Sequence, residues 1–252
     1  MKIKINKNKS IGKVIYIVEG DVTEPTIIET IFNKLLNYEV ARYKKLNDEL
    51  IKLTSNIEKY SRVFVVPAKN PQINQIEKNY DYLYDILNNK LGITTEDSSI
   101  YFIFDRDRES NRPSIIKNHI NKYYNSKDND MEMNGLFLLS YPCIEASYLN
   151  ALCDKNEFSC GKDMKDYVDL NNIDCTCLQN EKALKDYAEI VIEIINNICT
   201  NNFKISDLDN FKRVNSEVFE HEEHCFISNK VYLTLSLLIV SLIDLGIIEI
   251  TD

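Results

Sequence analysis

Four short apolar runs organise the first 152 residues. Val14–Val18, Val63–Val66, Ile100–Phe104 and Leu136–Leu139 are each continuous rather than alternating. Runs of that length predict strands covered on both faces, as in a parallel sheet. Between them, apolar residues recur at helical spacing. Ile27, Ile28, Ile31, Phe32, Leu35 and Leu36 predict a helix capped by Thr23, with Pro25 in its first turn. Ile73, Ile76, Tyr80, Leu83, Tyr84, Leu87 and Leu91 predict a second, stopped by Gly92. A third follows Pro113 with Ile115, Ile116, His119, Ile120 and Tyr123, and a fourth follows Pro142 with Ile144, Glu145, Tyr148, Leu149 and Leu152. Residues 41–61 are polar and charged and read as a helical excursion on the rim; residues 125–134 read as a polar loop.

This alternation predicts an α/β fold, an open parallel sheet flanked by helices. Ligands in such sheets bind beyond the carboxyl ends of the strands. From residue 153 the strand signal fades. Leu184, Tyr187, Ala188, Val191, Ile195 and Ile198 predict one helix, and Val231–Leu245 another. We therefore expect an α/β domain over 1–152 and an α-helical C-terminal region over 153–252, with no internal repeat. The apolar run Val231–Ile250 is interrupted by Thr234, Ser236, Ser241, Asp244 and Glu249. It predicts a buried or partner-facing helix rather than a membrane span.

Composition narrows the function classes. The chain has 252 residues, 44% hydrophobic and 10% aromatic, enough for a substantial core. Its six glycines and five prolines argue against long flexible linkers. A net charge of −9 argues against a high-affinity, non-specific nucleic-acid binder. It leaves room for an enzyme that touches nucleic acid briefly, or one whose partner supplies the basic surface. The polar opening, Met1 to Lys7, predicts no secretory leader. Seven scattered cysteines read as reduced thiols in a cytoplasmic protein. The richness in Lys, Asn and Ile fits an AT-rich bacterial genome.

Two acidic signatures carry the chemistry. Strand Val14–Val18 runs into Glu19-Gly20-Asp21-Val22-Thr23-Glu24-Pro25, and strand Ile100–Phe104 into Asp105-Arg106-Asp107-Arg108-Glu109. If both strands lie parallel in one sheet, Glu19, Asp105 and Asp107 meet at one sheet edge. Magnesium takes oxygen ligands of this kind, completed by waters and substrate phosphates. Gly20 permits a tight turn or a close backbone approach to phosphate. Arg106 and Arg108 can hold substrate phosphate or pair with neighbouring carboxylates. Glu24 has two readings, a ligand of a second ion or an acidic residue favoured by a helix start. Glu145 faces the same choice after Pro142. Asp21 and Glu109 read as solvated.

The segment Glu19-Gly20-Asp21-Val22-Thr23-Glu24-Pro25, the pair Asp105 and Asp107, and Ser140-Tyr141-Pro142-Cys143-Ile144-Glu145 occur in the order found in the Toprim fold. They most resemble its RloB-like branch, linked to abortive infection and restriction loci. Tyr141 stands where that branch has Asn, and Ile144 where it has Phe. The resemblance covers roughly residues 13 to 152. It implies a Toprim-like catalytic domain in which Glu19 is a metal ligand or general base. Asp105 and Asp107 would be metal ligands, with Glu24 and Glu145 as further candidates. The implied activity is an Mg2+- or Mn2+-dependent nuclease of bacterial antiviral defence, whose ion positions and activates water against a phosphodiester. The substrate is DNA or RNA, tRNA included.

Other signals are weaker. His221-Glu222-Glu223-His224-Cys225 is not the metalloprotease spacing, and the cysteines lack paired zinc-site spacing. His119 reads as structural. No phosphate-binding loop or dinucleotide fingerprint occurs, so any ATPase involved would be a separate protein. A homo-oligomer is compatible with the sequence, and no membrane partner is expected. Primase-type nucleotidyl transfer uses the same metal logic but lacks an accompanying zinc ribbon. The alternative reading is a non-catalytic regulatory or assembly subunit of a defence complex, favoured by the acidic surface and the apolar last helix.

Overall fold

The computed structural model describes residues 2–43, 50–68, 88–89, 97–106, 108, 111–127, 135–154 and 156–251. The strands are β1 (Lys2–Ile5), β2 (Lys13–Val18), β3 (Tyr38–Tyr43), β4 (Leu50–Ser55), β5 (Arg62–Pro67), β6 (Ser98–Asp105), β7 (Leu136–Tyr141), β8 (Glu157–Phe158), β9 (Tyr232–Leu233), β10 (Leu235–Ser236) and β11 (Ile248–Thr251). The helices are α1 (Thr23–Glu29), α2 (Pro113–Lys122), α3 (Ala146–Ala151), α4 (Gly161–Leu170), α5 (Glu181–Ile198), α6 (Lys212–Asn229) and α7 (Leu238–Asp244). The protein is thus mixed α/β. Its central seven-stranded sheet has the order β10-β7-β6-β2-β5-β4-β3 and is flanked by helices.

The chain divides into two compact units. The first comprises Ser10–Ile103 and Arg108–Phe137. Its centre is parallel, as the apolar runs predict: β2 pairs with β5 on one side and with β6 on the other. Val14 to Val18 are fully buried, because both faces of β2 are covered. The register places Tyr16 beside Tyr101, and the rings stack at 5.2 Å. The predicted helix after β2 is present as α1, continued by a π-helical segment, Thr30–Leu35. All six of its predicted apolar positions are buried. Helix α2 starts with Pro113 in its first turn, and its His119 stacks on Tyr123, the residue just past its end.

The expectation of a helical excursion over 41–61 is corrected. β3 and β4 form an antiparallel pair, and β4 pairs antiparallel with β5. The reason is that Tyr38, Leu50, Ile51 and Leu53 are buried while Glu39, Ala41 and Arg42 face water. That is a half-buried antiparallel margin added to the parallel centre. Apart from residues 88–89, the predicted helix over 73–91, with its stop at Gly92, and the loop over 128–134 lie outside the described residues.

The second unit comprises Met1–Lys9, Phe104–Asp107 and Leu138–Asp252. Helix α5 buries Leu184, Tyr187, Ala188, Val191 and Ile195, as predicted, and Asn180 caps it by accepting the Lys182 N–H at 2.8 Å. The region after residue 153 is not helical throughout, because β8 pairs with β9, β10 joins β7 and β11 pairs with β1. The predicted helix Val231–Leu245 is reduced to α7. Its first part instead forms β9 and β10, because Asn150 takes up their backbone. Asn150 donates to the Thr234 carbonyl at 2.9 Å and accepts the Ser236 N–H at 3.0 Å. Among the described residues no helix is long and apolar enough to cross a membrane.

Candidate metal centre

The first acidic signature folds into a tight turn at the end of β2. Glu19 is half-buried, and its N–H donates to the Ile103 carbonyl at 3.1 Å. Since Val18 pairs with Ile103 in parallel register, Glu19 leaves β2 at its carboxyl end. Glu24 is only 6% exposed, in the first turn of α1. Its Oε1 accepts the Gly20 N–H at 3.1 Å. A Cβ on Gly20 would lie 2.5 Å from Glu24 Oε2. A side chain at position 20 would therefore have to displace the Glu24 carboxylate. Glu24 is engaged with the turn of its own motif.

The second signature and the Pro142 segment supply donors within the other unit. β6 ends at Asp105, which is half-buried. β7 ends at Tyr141, and residues 143–148 form a tight turn in which Ala146, Ser147 and Tyr148 N–H groups donate to the Cys143, Ile144 and Glu145 carbonyls. This turn opens α3 and presents Cys143 and Glu145 on one side. One ligand atom from each of Asp105, Cys143 and Glu145 lies within 4.8 Å of the other two. Among the described residues this is the one such group of three donors.

Burial defines what the group can do. Glu145 is 6% exposed and its Oε2 is buried with no hydrogen-bond partner. The Lys165 Nζ stands 4.0 Å from Glu145 Oε1. Cys143 belongs to an apolar cluster with Ala146, Leu149, Phe158, Met164 and Val168. Its Sγ lies 3.5 Å from the Met164 sulfur, and Gly161 packs against its Cβ. Burial first, then the Asp105 and Glu145 charges, push the Cys143 thiol far above its ordinary range. The resting thiol is therefore protonated. Two carboxylates and a thiol around one point are a donor set for a divalent cation, and a buried orphaned carboxylate oxygen is what such an ion satisfies.

Of the two readings of Arg106, a phosphate contact or a carboxylate pair, the second is the one observed. Arg106 is 1% exposed; its Nε donates to Glu223 Oε1 at 2.7 Å and its guanidinium lies over Phe219 at 5.7 Å. Arg108 is half-buried. Asp107 and Glu109 lie outside the described residues. Next to Glu223, Glu222 is fully buried, with its Oε2 accepting the Leu233 N–H at 3.0 Å. Burial, reinforced by Glu157 and Glu223, pushes Glu222 up to about 8.

Within the run 221–225, Glu222 and Glu223 are buried while His224 is exposed, and the run takes part in no group of three metal donors among the described residues. Cys225 Sγ touches only one ring of it, His221, at 3.7 Å. The roles of Glu222 and Glu223 were not legible locally, because their partners are remote in sequence. Cys143 as a donor could have been found from its place between Pro142 and Glu145.

Comparison with protein-family models, with curated proteins and with solved structures found no match. What the fold and the site define is a class, an α/β protein with a mixed central sheet and a buried carboxylate–thiol group beyond its strand ends.

Proposed function

We propose that the chain is a divalent-metal-dependent nuclease of Toprim-like architecture. It hydrolyses phosphodiesters of DNA or RNA, tRNA included, in the cytoplasm, as an effector of bacterial antiphage defence. The observation that carries this reading is the convergence of Asp105, Cys143 and Glu145, which brings two separate sequence motifs to one point. Glu19 is assigned as a metal ligand or the general base by its motif at the end of β2. Asp107 is assigned as a ligand by its spacing from Asp105. Glu24, which also accepts the Gly20 N–H, is assigned as a candidate ligand of a second ion. Arg108 is assigned to the substrate phosphate, and Gly20 would join it only where the Glu24 carboxylate releases its N–H.

The residues fit a hard or borderline cation. Asp105 and Glu145 supply oxygen for Mg2+ or Mn2+, and Cys143 would join them only on losing its proton, as the softer Mn2+ favours more than Mg2+ does. Such an ion, when bound, supplies charge stabilisation to a phosphodiester under attack. The protein's own residues hold the carboxylates in place and keep water from the thiol side of the group.

The test is incubation of the purified protein with plasmid, single-stranded DNA and total tRNA, with Mg2+ and Mn2+ supplied separately. Metal-dependent cleavage is expected in the wild type and its loss in Glu19→Ala, Asp105→Ala and Glu145→Gln. Cleavage that persists unchanged in all three removes the site assignment. The assembly-subunit alternative loses one of its supports, since Leu238, Ile239, Val240, Leu242 and Ile243 of α7 are buried.

A further inference from the structure

We propose that Arg106 and Glu223 are a positioning pair that fixes Asp105, so that helix α6 sets the geometry of the metal centre. The inference rests on the metal-site reading above and adds to it helix α6, which lies outside the three segments of the Toprim-like resemblance.

Arg106 follows Asp105 directly, at the point where β6 ends. The chain there is held twice. The Arg106 N–H donates to the Ser140 carbonyl at 2.8 Å, and its Nε donates to Glu223 at 2.7 Å. Ser140 is itself tied to β10, its Oγ lying 2.8 Å from Ser236 Oγ. Phe219 and Glu223 stand four apart on α6, so they share a face, and the guanidinium meets both. A residue pinned at backbone and side chain leaves its neighbour little freedom. Asp105 is therefore delivered to Cys143 and Glu145 by contacts that none of those three residues makes.

The pair makes little sense as a source of stability. Two charges withdrawn from water are repaid only in part by their attraction, and an apolar pair of similar size is often as stable. The better-attested use of such a pair is to specify one register. A phosphate-binding arginine would need an open guanidinium, and this one is covered.

The experiment measures Mn2+ binding to the full-length protein by calorimetry, with near-ultraviolet circular dichroism and the thermal transition as controls of fold. Groups that orient metal ligands typically change metal affinity by about 10- to 100-fold when altered. Arg106→Lys and Glu223→Gln are each expected to weaken Mn2+ binding by at least about tenfold while retaining a cooperative transition. In the double variant the losses should not add, because both substitutions break one unit. Phe219→Leu keeps both charges and carries the test should Glu223→Gln fail to fold; it is expected to weaken binding roughly threefold. Wild-type affinity retained in every folded variant overturns this inference alone. A wild-type protein that binds no Mn2+ overturns the metal-site reading, and this inference with it.

Discussion

The Glu24 carboxylate accepts the Gly20 N–H at 3.1 Å, and it closes the turn so tightly that a Cβ on Gly20 would sit 2.5 Å from its other oxygen. The turn that follows Glu19 is thus shaped by an acidic residue five positions further on. Gly20→Ala must push that carboxylate aside and forfeit the bond. A lost hydrogen bond of this kind costs about 1 kcal/mol, and more when a buried group is left unsatisfied. Glu24→Gln keeps the accepting oxygen and is expected to be milder than either Gly20→Ala or Glu24→Ala. Urea unfolding of the three variants ranks them; equal losses for Glu24→Gln and Glu24→Ala would mean that the charge, not the bond, matters.

Glu222 makes stability depend on pH. Its folded-state value is about 8, above the ordinary carboxylate value that the unfolded chain retains, and burial is the main cause. Between those two values the folded protein holds a proton that the unfolded chain has released. Stability therefore falls as pH rises through that window, by about 1.4 kcal/mol per pH unit for one proton. Glu222→Gln retains an oxygen for the Leu233 N–H and removes the titration. It should flatten the decline up to pH 8 and raise the thermal midpoint at pH 8. An unchanged slope in this variant assigns the proton to another group.

How much was visible beforehand depends on the kind of burial. Val14–Val18 and Ile100–Phe104 are covered on both faces, so their continuous apolar runs announced the parallel centre. The β3–β4 pair has one wet face, and its few apolar residues are diluted among Glu39, Arg42 and Lys52, so the signal was weak. Leu233, Leu235 and Leu237 alternate with Tyr232, Thr234 and Ser236 in a run where nearly every residue suits either a helix or a strand. Asn150 decides the outcome, and its hydrogen bonds reach 84 and 86 residues along the chain. In the site, Asp105 and Glu145 were legible because their motifs are local. The partner of Arg106 was not, because Glu223 is 117 residues away and nothing in the local pattern names it.

Asn150 is accordingly expected to be a sensitive position. It is fully buried and makes both of its bonds to β9–β10 backbone. Asn150→Ala leaves the Thr234 carbonyl and the Ser236 N–H short of a partner, at about 1–3 kcal/mol for each buried group. Asn150→Asp keeps the acceptor for Ser236 but turns an oxygen against the Thr234 carbonyl, so it should rescue little. Hydrogen exchange at Ser236 distinguishes the two: faster exchange is expected in Asn150→Ala and near-native protection in Asn150→Asp. Native protection in Asn150→Ala would show that another acceptor holds that strand.

Lys165 bears on metal affinity with the opposite sign from the ligands. Its ammonium stands 4.0 Å from Glu145 Oε1 and competes with any cation for that carboxylate. The lysine side chain is 53% exposed, so water screens the pair, and such pairs are worth roughly 0–1 kcal/mol. Removing the competitor by Lys165→Met should therefore tighten Mn2+ binding by at most about fivefold. The gain should shrink as salt rises, because screening already weakens the lysine's hold. Weaker binding in Lys165→Met would show instead that the lysine orients Glu145 for the ion, and would move it from rival to support.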